Sequence, residues 1–258
     1  MYDDLYGLGV VGLIALFGLV TVACLVSASH IGQKLGWTVP NKDSADYIIR
    51  AQATIITVTG IVLAFSLVQV QGNLRQTEEL VAREASSCNT LDRLLLRYGD
   101  QGAALRPLLW AYTTSVINDE WPLLRQGQGN PATSARLALL SRGVFQLDPQ
   151  SSREVAIYGE MIKSIDEMAD ERERRISAAN LHLHWEFWMV TVFLALILVA
   201  LSTPIEPVGY RTVSIGAQGL ALALLAALVF YGDHPFQGNI SVSPEPLVKV
   251  LDIMQART

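Results

Sequence analysis

Along the chain, apolar positions gather into four long runs, and one extended polar stretch separates the second run from the third. Residues 8 to 28, LGVVGLIALFGLVTVACLVSA, contain no charge, and at about 1.5 Å per residue such a helix matches a hydrocarbon core of about 30 Å. A second uncharged run covers 51 to 72 after Arg50. The third, 184 to 203, opens with Trp185 and Trp188, aromatics suited to the headgroup level, and stops before Pro204. The fourth covers 213 to 231. The pattern predicts an all-α polytopic membrane protein: four transmembrane helices joined by a short connector (29 to 50), a large insert (73 to 183) and a tail (232 to 258).

The insert holds thirteen of the nineteen Lys and Arg residues, so it belongs in water. It reads as helices. Leu105, Leu108, Leu109, Tyr112 and Val116 recur at steps of three and four, as do Tyr158, Met161, Ile162, Ile165 and Met168. Asp148 followed by Pro149 is a suitable helix start, and RQGQGNP, from Arg125 to Pro131, marks a break between two helical hairpins. In the tail, Leu247, Val250, Leu251 and Met254 give an amphipathic helix that could lie on the membrane surface or cover a subunit contact.

Four spans put both termini and the insert on one side. Near the membrane ends that side carries Arg75, Arg83, Arg172, Arg174, Arg175 and Lys249, against Lys34, Lys42, Arg50 and Arg211 opposite. The excess assigns termini and insert to the cytoplasm. The start, MYDDLYG, is acidic where a cleavable signal would be basic, so the first run is expected to be retained.

The second run is unusual in carrying polar side chains along one side. Gln52, Thr59, Ser66 and Asn73 are spaced by seven and Gln69 follows Ser66 by three, so all five share about one third of the helix circumference. The row extends over about 32 Å, the thickness of the hydrocarbon core. Unpartnered amides and hydroxyls cost on the order of 1–3 kcal/mol each when buried, so these groups should face protein or water. Two readings follow. Either the row is glue between helices, each bond contributing about 0.6 kcal/mol, or copies of this helix surround an axis and the row lines a water-filled pore. In the second case Val62 and Phe65 would supply an apolar constriction, and Arg75, Glu78 and Glu79 would set the charge at the entrance. A four-helix chain has little room for a lumen, so a pore requires a homo-oligomer. Gly60 and Ala64, on another face, have the small-xxx-small spacing of close helix packing, and Gly9, Gly12 and Gly18 suggest the same for the first run.

Composition agrees with a membrane protein: 51% of residues are hydrophobic, 17% charged, and mean hydropathy is +0.33. The net charge of -5 offers no field for a phosphate backbone, so nucleic acid is not an expected partner. Cys24 and Cys88 form no CxxC pair and read as buried packing residues. His182 and His184, two apart, point away from one another on a helix and cannot share a metal. His234 reads as part of a turn rather than a pH sensor. No GxSxG, Walker loop, GxGxxG or HExxH is present, so neither an enzyme nor a cofactor is expected. The tract IDEMADERER reads as pairs on a helix surface rather than a calcium clasp, and Glu120 with Trp121 as a structural helix end before Pro122.

The segments GIVLAFSLVQV, REASSCNTLDRLL, YTTSVINDEWP and, most specifically, DHPFQGNISVSPEPL resemble the bestrophin-like family of mostly bacterial membrane proteins, whose activity is largely unassigned. The resemblance covers roughly residues 50 to 250 and extends at a distance to the bestrophins, pentameric channels chiefly for anions, with four spans per subunit and a pore lined by the second. It implies passive ion conduction by a homo-oligomer, a pentamer by analogy, in the cell inner membrane. The apolar neck of that family would fall near Val62, Phe65 and Gln69, where Gln69 departs from the apolar pattern. A nonconducting scaffold or sensor that recruits a partner through the insert is the alternative.

Overall fold

The computed structural model describes residues 9–37, 42–206, 208–238 and 241–257, with the side chains of 9, 10 and 42 excepted. Residue 8, with which the first span was to open, residues 38–41 of the expected connector, and 239, 240 and 258 of the tail lie outside this set. Every regular element among the described residues is helical: α1 (Gly9–Lys34), α2 (Lys42–Tyr98), α3 (Asp100–Ala103), α4 (Arg106–Ser115), a π-helical turn (Val116–Glu120), α5 (Trp121–Leu124), α6 (Pro131–Phe145), α7 (Ser152–Ala178), α8 (Trp185–Ser202), α9 (Gly209–Gly232) and α10 (Glu245–Ala256). Four of them, α1, α2, α8 and α9, are long and apolar enough to cross a membrane. Helix runs beyond the apolar stretches. The expected connector 29 to 50 is helical at both ends, because α1 continues to Lys34 and α2 already begins at Lys42.

The chain divides into two compact units. The first, built mainly from residues 1–72 and 182–233, packs α1 closely on α9 and α8. Glycines permit the approach: a Cβ at Gly18 would fall 2.8 Å from Leu220 Cδ1, one at Gly219 2.6 Å from Leu25 Cδ1, and one at Gly32 1.9 Å from the Thr203 carbonyl oxygen. Gly60 does not repeat this, since a Cβ there would meet nothing within 4 Å. Cys24 is exposed, contrary to the sequence expectation, because it lies on a face of α1 that the rest of the chain leaves uncovered.

The second unit, mainly residues 73–181 and 241–258, has one core. Val81, Cys88, Leu91 and Leu95 of α2 meet Leu109 and Tyr112 of α4, Leu137 and Leu140 of α6, and Met161, Ile165 and Met168 of α7. The amphipathic tail helix α10 buries Leu247, Val250 and Met254 in this same core, so its apolar face is used by its own chain. The RQGQGNP break is present. Asn130 caps α6 by accepting from the Ala132 amide, with Pro131 at the first helical position. The start of α7 differs from expectation. Ser151 rather than Asp148 is the cap, accepting from the Glu154 amide, while the Glu154 carboxylate accepts from the Gln150 amide. A Ser-x-x-Glu arrangement answers two free donors at once, which Asp-Pro alone does not.

Candidate functional site

The polar row on α2 divides. Gln52, Thr59 and Ser66 are only 5%, 3% and 8% exposed. Gln52 Nε2 donates to Ser202 Oγ of α8 at 3.0 Å, and Ser202 Oγ donates in turn to the Leu198 carbonyl. Ser29 Oγ of α1 donates to the Ser202 carbonyl at 3.0 Å, which closes a three-helix polar seam. Thr59 and Ser66 donate to the carbonyls of Ile55 and Val62, four residues back. Within one chain these three therefore face its own helices.

The uncovered side of α2 is different. Phe65 is 74% exposed, and Ile61, Val68, Gln69 and Gly72 are open as well. At 100° per residue Ile61, Phe65, Val68 and Gly72 lie within about 60° of one another, roughly opposite Thr59 and Ser66, with Gln69 on the flank. Val62 lies between the two faces and is half-buried. Asn73, also half-buried, opens the second unit, and its carbonyl accepts from Thr77 Oγ1. Arg75, Glu78 and Glu79 are exposed, with Glu79 in a 3.5 Å pair with Arg83.

The second unit holds a charge cluster that the sequence reading left at the surface. Arg172 of IDEMADERER and Arg175, directly after that tract, are buried, and so is Glu120. Arg175 Nε donates to Glu84 Oε2 at 2.7 Å, and its Nη2 to Glu120 Oε1 at 2.8 Å. Arg172 forks onto both oxygens of Glu120 through Nε at 3.1 and 3.2 Å and also donates through Nη2. Tyr112 Oη donates to Glu84 Oε1 at 2.8 Å, and the Asn130 amide to Glu120 Oε2 at 2.9 Å. Two carboxylates and two guanidiniums balance. Arg175 Nη1 finds no oxygen, but its guanidinium lies over the Trp121 ring, 5.3 Å from the centroid. Arg174, paired with Glu171 three residues back, behaves as the surface pair expected of the tract.

Local sequence explains how Glu120 reaches this cluster. Pro122 has no N–H, and its ring would strike the Asn118 carbonyl in a regular helix. The backbone widens instead into the π-turn, where the Trp121 amide donates to the Val116 carbonyl five residues back, and Glu120 is turned inward. Burial alone would raise the Glu120 carboxyl, but the Arg172 hydrogen bond, the charge of Arg175 and the Asn130 amide outweigh it and hold the group below the usual carboxylate range. Burial and the adjacent Glu84 push the Tyr112 phenol well above its ordinary value. Tyr112 stays a neutral donor.

The family model described as Bestrophin-like domain matches residues 20–247. The chain belongs to the bestrophin-like family. No curated protein matches it significantly. Among solved structures, this bestrophin-like chain is similar to a bacterial bestrophin homologue from Klebsiella pneumoniae, at 16% identity over 94% of this chain and 96% of that one, with a TM-score of 0.68. Two single-substitution variants described in the same way match at 15% and 14% identity, with TM-scores of 0.68 and 0.67, over 94% of this chain and 96% and 95% of theirs. At this identity the likeness shows the fold: an all-α bestrophin-like membrane protein.

Proposed function

We propose that this chain is one subunit of a homo-oligomeric ion channel of the bestrophin type, with α2 from each copy facing a shared axis. Family membership supports the reading, and the carrying observation is the side of α2 that its own chain leaves bare. Phe65 would form the apolar constriction, and Gln69 a ring of hydrogen-bonding side chains beside it, with Val62 on the flank. Gln52, Thr59 and Ser66 are assigned instead to holding the helices of one subunit together, and Asn73 to the pore mouth. Arg75, Glu78 and Glu79 would set the potential at the entrance. Anions are the favoured cargo and five the favoured number of copies, both by resemblance, with both termini and the 73–183 insert in the cytoplasm of an inner-membrane protein. Because passive conduction through neutral rings involves no bond making, no enzymatic role is proposed.

The Gln52–Ser202 bond supports a second reading, in which α2 is purely structural and the chain is a nonconducting scaffold. Purified protein in liposomes loaded with a chloride-sensitive dye separates the two. A chloride flux that Phe65→Ala raises and Gln69→Leu lowers supports the channel. Protein-containing vesicles that leak no faster than empty ones, for chloride and for potassium, overturn it.

A further inference from the structure

Away from α2's bare face, the second unit has a cavity of about 400 Å³ walled by Ala103, Pro107 and Trp110, with Asp92, Arg106 and Met254 also on its lining. That volume lies within the roughly 300–1,000 Å³ range of small-molecule sites, which pair an apolar wall with a few placed polar groups. Here the wall includes a half-exposed indole, Trp110. The polar group is a guanidinium. Arg106 Nε donates to Asp92 Oδ1 at 2.7 Å and Nη2 to the Met254 carbonyl at 2.8 Å, while Nη1 meets no acceptor among the described residues and the side chain keeps 14% exposure. Asp92 also receives Arg257 Nη1 at 2.9 Å. One carboxylate thus answers two guanidiniums.

We propose that this cleft binds an aromatic carboxylate, its ring against Trp110 and Pro107 and its carboxylate on Arg106. A carboxylate suits the site because it can take the free Nη1 in a charge-assisted hydrogen bond, and Asp92, already shared by two cations, does not repel it strongly. Because Arg106 also holds the end of α10 through Met254, occupancy would fasten that helix to α4. The proposal does not depend on conduction.

Benzoate is the probe. The full chain in lipid nanodiscs is dialysed to equilibrium against radiolabelled benzoate, with empty nanodiscs as reference. Saturable uptake of one benzoate per chain is expected, weakened at least tenfold by Trp110→Ala and by Arg106→Gln, and not displaced by an equal concentration of benzyl alcohol. Uptake equal to that of empty nanodiscs, displacement by benzyl alcohol as effective as by benzoate, or unchanged affinity in Trp110→Ala overturns the proposal. The Trp110 variant decides where Arg106→Gln disturbs folding, since its half-exposed ring can be removed without breaking the core.

Discussion

Arg175 on α7 donates its Nε to Glu84 Oε2 on α2 at 2.7 Å, and both side chains are wholly buried. The same guanidinium reaches Glu120 at 2.8 Å, so one cation is shared by two carboxylates on separate elements. An ion pair taken out of water gains little over a well-packed apolar pair, yet removing one member strands a charge at a cost of about 3–5 kcal/mol. Arg175→Leu is therefore expected to lower the melting temperature of the detergent-solubilised chain markedly. The double change Arg175→Met with Glu84→Gln should recover part of that loss. Fluorescence-detected size exclusion after a heat step measures both, and a stable Arg175→Leu protein would contradict the account.

The position of Glu120 gives a pH dependence with a definite sign. Its folded-state value lies below the ordinary 4.5, so its contribution to stability is complete above about pH 4.5 and is lost as pH falls through the folded-state value. Glu120→Gln should remove this acid-sensitive share and also weaken the protein at neutral pH, because Arg172 then lacks its carboxylate. Melting temperatures recorded between pH 3 and 7 for both proteins test this. A variant curve parallel to the wild-type curve at the acid end would count against it.

Four long apolar runs were legible because membrane spans are written in composition over some twenty residues, and the core faces of α4 and α7 because their spacing follows the helix period. The buried charges were hidden by residue type rather than by position. Met161, Ile165, Met168, Arg172 and Arg175 continue one series of three and four steps, and Val81, Glu84, Cys88 and Leu91 do the same on α2. Reading period before polarity would have placed both arginines and Glu84 inside. The direction of the α2 polar row was harder to see. Sequence puts Gln52, Thr59 and Ser66 on one stripe, but the partner that Gln52 finds on α8, Ser202, is 150 residues away.

Close packing in the first unit predicts opposite outcomes at two glycines. A Cβ at Gly32 would lie 1.9 Å from a backbone oxygen of Thr203, which no side-chain rotation relieves. Gly32→Ala is expected to cost at least the roughly 1–3 kcal/mol typical of overpacking. At Gly60 the space is open, and replacing a helical glycine by alanine adds up to about 1 kcal/mol of helix propensity. Gly60→Ala should leave the fold of a single chain intact, and any loss of high-mass species on size exclusion would then report a neighbouring copy on that face. Equal destabilisation by both changes would refute the packing described.

The two sides of α2 give the most direct test of the pore proposal. Single cysteines at positions 59, 65, 66 and 69, in a chain with Cys24 and Cys88 replaced by serine, can be challenged with a charged, membrane-impermeant thiol reagent in liposomes. Positions 59 and 66 point into the subunit's own helices and should react slowly. If Phe65 and Gln69 face water at a shared axis, cysteines there should react at least tenfold faster, and their modification should alter chloride flux. Fast labelling at 66 with protection at 65 and 69 would reverse the assignment of faces. Protection at all four, with no flux, would leave α2 as a sealed structural helix, because a charged reagent reaches a thiol only where water already does.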